Sequence, residues 1–514
     1  MAVHPRHSRP PRPAPLSLAL LMLGAAATTA FAADRADVRT ARGSSCEALA
    51  GRTIGGASIA SATTVAATDS LVEYCNVDGL IAPALHFELR LPTTWNHKLH
   101  YGGGGGYDGS IPPVVPAALN AGYAQVSSDS GHQASAVDAS FALNDPQAAV
   151  LFGSLSVSTT MGAALEIVKA RYGSKPLRSY FEGCSNGGRE ALIQVQRFPT
   201  LFDGVIARAP AHNWVGFMGQ FNRTAKALAA PGGAFTTAKV ATLAAAVRNA
   251  CDALDGLVDG VVSNLQACHF DPSVLRCAGG ADTGDSCLSD AQLAVVSSWT
   301  GPASYVNNTY HNTGWPLSGN EDDPGAWAPW VTVPPSLQFL FQDTTVKNYL
   351  ARDPNADSLS YVYDSDPGAL FSMATLNDAT NADITPFVGA GGKLILWHGG
   401  SDSALSNTET AAYYGEVVNA LGGRANADGS VRFYIAPGVD HCGGGVGADQ
   451  TDLLTPLDKW VTRGRGPDTL TATKVDPTTG ATLLSRPLCV YPEYPRYKGR
   501  GDPNSASSFR CTAP

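Results

Sequence analysis

The run Ser179-Tyr180-Phe181-Glu182-Gly183-Cys184-Ser185-Asn186-Gly187-Gly188-Arg189-Glu190 joins a predicted strand, a glycine-rich turn and a predicted helix. Residues 179–183 read as a strand running straight into the turn, and residues 190–197 continue as a helix. Gly183 to Gly187 fits G-x-S-x-G, in the strand–turn–helix context that the motif requires. The spacing has a chemical reason. A nucleophilic Ser must sit on a tight turn so that its hydroxyl projects from the sheet. Small neighbours let the backbone bend and let substrate approach, and the N–H groups that begin the helix can stabilise an oxyanion. The alternative is a glycine-rich turn with an incidental Ser.

The same alternation extends outward. Upstream, residues 85–91 have period two and read as a strand, as do the short runs 99–101 and 123–128. Residues 159–172 show helical spacing through Met161, Leu165 and Val168. Downstream, strands are predicted at 393–399 and 431–436. Strands alternating with helices imply an α/β fold with a mainly parallel sheet. Residues 33 to about 80 read as a loop-rich opening closed by a disulfide. Residues 211–383 differ in character, with an acidic loop and a Trp- and Pro-rich section holding Trp299, Trp315, Trp327 and Trp330. That middle stretch is best read as an insertion into one catalytic domain.

Length and composition bound the function. A chain of 514 residues with 44% hydrophobic and 15% charged residues can bury a core. It has 35 Lys and Arg against 44 Asp and Glu, a formal charge of −9, so it lacks the basic face of a phosphate-backbone binder, and no nucleic-acid partner is expected. The first 32 residues have the form of a secretory signal: a basic, Pro-rich start, an apolar run at 16–27, and Ala30-Phe31-Ala32 as a small-x-small cleavage pattern. The run is too short for a membrane anchor, which needs about 20 residues. Removing the signal takes away Arg6, Arg9 and Arg12 and no acid, which shifts the charge to −12. No later segment reads as apolar enough to cross a membrane, so a secreted or periplasmic protein is expected.

Ten cysteines in an exported chain imply disulfides, and no C-x-x-C pair suggests a metal site. Proximity in sequence suggests Cys46–Cys75, Cys251–Cys268, Cys277–Cys287 and Cys489–Cys511, leaving Cys184 and Cys442.

A Ser nucleophile needs a base, and the base needs an orienting carboxylate. In α/β folds of this kind the chain order is Ser, then Asp or Glu, then His. His441 lies in the loop after the strand at 431–436, and Asp402 lies in the loop after the strand at 393–399. Each stands where the order demands; for each the alternative is a surface loop residue. His398 precedes the turn and reads as a packing residue. Asp440 is the competing acid, but its adjacency to His441 makes it a poor partner for that ring. Cys184 adjoins Ser185 and Cys442 adjoins His441. If Ser185 and His441 meet, the two leftover cysteines meet as well, and a disulfide would tie the nucleophile turn to the base loop. Gly102 to Gly106 follow an early strand, where a second oxyanion donor is expected; the backbone N–H of Gly103 is assigned that role together with that of Asn186. A phosphate cradle would end in Lys and Ser or Thr, whereas this run ends Gly106-Tyr107-Asp108.

Taken together, Gly183 through Glu190, Asp402 and His441-Cys442 resemble the tannase and feruloyl esterase family, in which the catalytic Ser and His each adjoin a Cys of one disulfide. Ser128-Asp129-Ser130-Gly131-His132, Arg197-Phe198-Pro199 and the ending Arg486-Pro487-Leu488-Cys489…Arg496-Tyr497-Lys498-Gly499 extend the resemblance over almost the whole mature chain. It implies an α/β-hydrolase fold, with the catalytic domain at 33–211 and 381–514 and a large lid at 212–380 inserted between Ser and Asp.

The resemblance also implies a structural calcium ion in the lid. The matching residues are Asp252, Asp255 and Asp259, with the backbone carbonyls of Leu257 and Val261 completing the shell. Read from the residues alone, three carboxylates within eight positions with glycines for tight turns suit Ca²⁺, although the loop lacks EF-hand spacing. The alternative is a solvated acidic turn.

The implied substrates are small esters of aromatic acids: feruloyl and other hydroxycinnamoyl esters, galloyl esters and, in one bacterial branch, mono(2-hydroxyethyl) terephthalate. That branch holds the free carboxylate with a lid Arg. The matching stretch here, Pro335-Ser336-Leu337-Gln338-Phe339-Leu340, has none. Trp327, Trp330, Phe339 and Phe341 are candidates for a wall stacking on the acyl group, against the alternative of ordinary lid core. Two other classes are a secreted peptidase or acyltransferase using the same triad, and a non-catalytic carbohydrate-binding protein of the cell envelope.

Overall fold

A computed structural model of the protein describes residues 43–514. The secretory signal expected at 1–32 lies outside the described residues.

Ten strands build the main sheet. In chain order they are β1 (Thr53–Ile54), β2 (Ala57–Val65), β3 (Tyr74–Ile81), β4 (Leu85–Pro92), β5 (Lys98–Gly102), β6 (Ala124–Ser128), β7 (Arg178–Cys184), β8 (Gly204–Arg208), β9 (Lys393–Gly399) and β10 (Val431–Ala436). Their spatial order is β1-β2-β3-β4-β6-β5-β7-β8-β9-β10. Pairing is antiparallel from β1 through β4 to β6 and parallel from β6 onward. The parallel half is nearly all apolar and buried, as a sheet covered on both faces must be.

The opening stretch departs from expectation. Among its described residues, from 43 onward, it forms β1, β2 and β3 instead of a loop-rich segment. The alternation of β2 rests on small residues, with Ala57, Ile59 and Ala62 buried between Ser and Thr. A shift in register between Ile59 and Ser61 breaks the period of two. Alanine marks a buried position weakly, and an irregularity hides the rest of the pattern. The Cys46–Cys75 disulfide joins the segment before β1 to β3.

Helices α1 (Ser156–Tyr172) and α2 (Asn186–Arg197) pack against the sheet, with Met161, Ile167, Leu192 and Val195 in its core. The helical run Pro146–Tyr172 is, at 27 residues, long and apolar enough to cross a membrane, which corrects the expectation that no such segment follows the signal. Its apolar window is 61% buried inside the fold, as suits a core helix.

Strands β8 and β9 are direct neighbours in register, Leu394 opposite Val205, yet residues 209–392 separate them in sequence. This insertion carries α3 (Trp214–Ala229), α4 (Thr237–Cys251), α5 (Asp290–Thr300) and α6 (Leu337–Thr345). It has its own core, in which Trp299 stacks on Trp315 at 5.7 Å and meets Trp327 edge-on at 5.0 Å. Ala379, Ile384 and Phe387 already pack in the core of the main sheet. The insertion therefore stands over the C-terminal ends of the parallel strands, where loop residues of an α/β sheet converge.

Candidate active site

The turn after β7 places Ser185 at φ 63° and ψ −121°, a left-handed conformation that side chains other than glycine rarely adopt. Neighbouring glycines make it sterically feasible. A Cβ on Gly183 would lie 2.5 Å from the Gly187 backbone, and one on Gly188 would lie 2.4 Å from the Arg208 carbonyl oxygen. Ser185 N–H donates to that same carbonyl at 3.1 Å, which ties the turn to β8. The helix α2 then starts at Asn186, whose N–H has no acceptor among the described residues, while the Gly187 N–H donates to the Gly104 carbonyl at 2.9 Å.

Asp402 follows β9 and His441 follows β10. His441 Nδ1–H donates to Asp402 Oδ2 at 2.8 Å, which leaves Nε2 as the basic nitrogen. The other carboxylate oxygen, Oδ1, accepts from the N–H groups of Ala404 and Leu405, each at 2.8 Å. Asp402 is buried. Burial alone would raise its carboxyl, but the charge of His441 and hydrogen bonds from His398 and His441 outweigh it and hold the group well below the usual carboxylate range.

His398 does more than pack. Its fully buried ring donates Nε2–H toward Asp402 Oδ2 at 3.1 Å and Leu405 O at 3.1 Å, while Nδ1 accepts from the Thr410 hydroxyl at 2.9 Å. The available signal was a His four residues before the acid, at the strand end. Asp440 faces elsewhere. Its carboxyl is buried, neither oxygen has a hydrogen-bond partner among the described residues, and burial with the nearby Asp323 pushes it up to about 9.

Cys184 and Cys442 form a disulfide, with Cα atoms 5.9 Å apart. It holds the nucleophile turn beside the base loop across 258 positions. The other four disulfides join Cys46–Cys75, Cys251–Cys268, Cys277–Cys287 and Cys489–Cys511.

Ser185 opens into an apolar cavity. Its walls come from Trp214, Phe217, Met218 and Phe221 on α3, and from Trp330 and Phe341. The Trp330 ring also lies edge-on to His441 at 5.1 Å and parallel to Phe341 at 6.3 Å. Two expected wall residues lie elsewhere. Trp327 is buried in the lid core against Trp299 and Phe235. Phe339 lines a separate cavity with Leu228, Val331 and Pro335. The reason is helical geometry: two residues apart on α6, Phe339 and Phe341 point about 200° apart, so only one reaches the Ser185 side. The four α3 residues stand outside the expected wall, although their i, i+3, i+4, i+7 spacing is an apolar stripe legible in the sequence.

The expected oxyanion donor at Gly103 also needs correction. Its N–H already donates to the Glu182 carbonyl at 2.9 Å, continuing the β5–β7 ladder, and the Gly104 N–H donates to Glu190 Oε2 at 3.0 Å. Gly106, further along the loop, lines the cavity with Ser185 and Asn186. Among the described residues the N–H groups of Gly105, Gly106 and Asn186 have no acceptor.

The acidic lid loop is closed by its own side chains. Asp252 accepts from the N–H groups of Asp259 and Gly260, Asp255 from Leu257, and Asp259 from Val261. Arg486 meets Asp259 Oδ2 at 2.7 Å. Burial pushes Asp255 up to about 6, and Asp259 and Asp252 add to that. Among the described residues no three carboxylate, imidazole or thiol groups are drawn together as a ligand cluster. The donor chemistry nonetheless fits calcium: hard oxygens on one tight loop, with negative charge in excess of the single guanidinium on Asp259.

Comparison with known proteins gives the family and the fold. Residues 69–512 match the family described as tannase and feruloyl esterase. The chain is 33% identical to the mono(2-hydroxyethyl) terephthalate hydrolase of Piscinibacter sakaiensis, covering 88% of this chain and 87% of that protein. It is 33% identical to a probable feruloyl esterase of Arthroderma benhamiae, covering 82% and 81%. In structure it superposes on an esterase from Aspergillus oryzae with a TM-score of 0.83 at 22% identity, covering 91% of this chain and all of that one, which shows the α/β-hydrolase fold. With the match running over most of its length, the chain belongs to the tannase and feruloyl esterase family.

Proposed function

We propose that this carboxylic ester hydrolase cleaves esters of neutral aromatic acids, of the feruloyl or other hydroxycinnamoyl type, outside the cytoplasm. The observation that carries the reading is the aromatic cavity over Ser185, with Trp214, Phe217, Phe221, Trp330 and Phe341 around it. Such walls suit an aromatic acyl group. Ser185 Oγ attacks the ester carbonyl while His441 Nε2 takes its proton. Asp402 orients His441 and stabilises the imidazolium. The N–H of Asn186, with Gly105 or Gly106 from the facing loop, stabilises the oxyanion. The tetrahedral intermediate collapses, His441 protonates the leaving alcohol, and water then releases the acid by the same steps.

Among the described residues no charged side chain lines the cavity. The free carboxylate of a terephthalate monoester would have no partner there, in keeping with the absence of Arg from 335–340. A galloyl group carries three hydroxyls against the single one of a feruloyl group, so it loses more in such a cavity, where each buried unpaired polar group costs about 1–3 kcal/mol. Calcium, held by Asp252, Asp255, Asp259 and the carbonyls of Leu257 and Val261, would brace the lid and take no part in the reaction. Five disulfides and the signal-like N-terminus support secretion or a periplasmic location.

The test is a panel of methyl ferulate, methyl gallate, mono(2-hydroxyethyl) terephthalate and a short p-nitrophenyl ester, run beside Ser185→Ala with products separated chromatographically. Ferulate hydrolysis should exceed that of gallate and the terephthalate monoester, and Ser185→Ala should lose about 10⁴-fold or more. Preferred turnover of the terephthalate monoester would replace the acyl assignment. Turnover undiminished in Ser185→Ala would remove the nucleophile.

A further inference from the structure

Behind the oxyanion loop lie two buried carboxyls that the reaction above does not use. Asp108 is 2% exposed and Glu190 is 4% exposed. Both flank one hydroxyl: Ser130 Oγ bonds Asp108 Oδ2 and lies 3.3 Å from Glu190 Oε1. A hydroxyl has one proton to donate, so both carboxyls are satisfied around it only if one of them carries a proton of its own. Neither has an ion-pair partner among the described residues. Arg189, the nearest cation, gives Nε–H to Asn186 Oδ1 at 2.7 Å and its remaining donors to the carbonyls of Phe152, Gly153 and Asn377.

The outer oxygens of the pair hold the two sides of the site. Glu190 Oε2 accepts the Gly104 N–H at 3.0 Å. Asp108 Oδ1 accepts from the Asn186 side-chain amide at 2.8 Å. Ser130 itself is held at φ 63°. A rigid polar network therefore spans from the glycine loop to the first residue of α2.

We propose that Asp108 and Glu190 share one proton across the Ser130 hydroxyl, and that this pair positions both halves of the oxyanion site, the loop through Gly104 and the nucleophile turn through Asn186. The proposal rests on the esterase reading of that site. Burial pushes both carboxyls up, and the charge of Glu190 pushes Asp108 further. The charged and titratable groups facing the pair are Arg189 on α2 and Tyr101 from β5. Asp129, beside Ser130, turns away to His86. Loss of the shared proton as pH rises sets two bare carboxylates against each other, so the loop shifts and turnover declines.

Glu190→Gln keeps the shape, the acceptor for Gly104 and the single negative charge of the pair. Glu190→Ala removes the shape and the acceptor for Gly104 and leaves the charge on Asp108 alone. Both are to be compared with Ser130→Ala by kcat and KM on a short p-nitrophenyl ester, by affinity for phenylboronic acid as a tetrahedral mimic, and by thermal unfolding. Glu190→Ala should lower kcat about 30- to 100-fold with KM within about threefold, and weaken the boronic acid in proportion, somewhat less than removal of an oxyanion donor outright. Glu190→Gln should keep kcat within about fivefold and lose the decline with rising pH. A folded Glu190→Ala with wild-type kcat and boronate affinity would overturn the proposal, as would a Glu190→Gln that retains the decline with rising pH. If Glu190→Ala does not fold, Ser130→Ala carries the positioning test: kcat and boronate affinity should fall together with KM held, and wild-type values for both would overturn it. Ser185→Ala, run in parallel, separates the readings: turnover surviving there removes the site assignment itself.

Discussion

Single residues around Asp402 show how the site is tuned. Oδ2 takes two imidazoles, so His441 is oriented by a carboxylate that His398 in turn pins. A hydrogen bond to a charged group contributes about 1.5–3 kcal/mol, and each 1.4 kcal/mol is tenfold in rate. His398→Phe, which keeps the packing and removes the donor, should therefore lower kcat by about 10- to 100-fold with KM little changed, as steady-state kinetics will read. Asp440 makes a different prediction. Its folded value is raised to about 9 against an ordinary carboxyl near 3.9, so the folded state keeps a proton that the unfolded state loses between those values. The stability of that protonated form is complete below about 3.9 and is lost as pH rises through about 9. Asp440→Asn cannot ionise, and its melting temperature should fall less than that of the wild type between pH 5 and pH 9.

At the scale of elements, the nucleophile turn and the base loop are placed by different strands and joined by one covalent bond. The turn leaves β7 and the loop leaves β10, with β8 and β9 between them in the sheet. The Cys184–Cys442 bond fixes their separation and closes a loop of 258 residues, for which the chain-entropy account gives roughly 5 kcal/mol at most. The double variant Cys184→Ser, Cys442→Ser should lose about 2–5 kcal/mol in denaturant unfolding. Its kcat should fall while the far-ultraviolet circular dichroism is unchanged, because the strands themselves stay in register. The lid helices obey a simpler rule. On α6 only the Phe341 face reaches Ser185, whereas α3 presents Trp214, Phe217, Met218 and Phe221 as one continuous stripe.

For the whole molecule, the lid is an insertion with its own Trp-rich core, and its acidic loop has three carboxylates with one guanidinium partner on Asp259. Washing with a calcium chelator should lower the melting temperature, and added Ca²⁺, but not equal Mg²⁺, should restore it, since the larger ion accepts an irregular oxygen set. Much of this architecture is written locally. A Ser between Gly183 and Gly187 demands a turn that only glycine neighbours permit, and chain order then points to Asp402 and His441, because those loops follow legible strands. Other features are not local. The alternation of β2 is carried by alanines and broken by a register shift, so those strands appear only when their partners do. Gly103 is one of five equivalent glycines until β7 pairs with β5 and takes its N–H. His398 and the Asp108–Glu190 pair acquire their partners, and Asp440 its burial, across the fold or through a turn whose shape the sequence does not specify. Periodicity records which residues turn inward; which buried group each one then meets depends on the packing of segments far apart in the chain, and only the tertiary structure decides it.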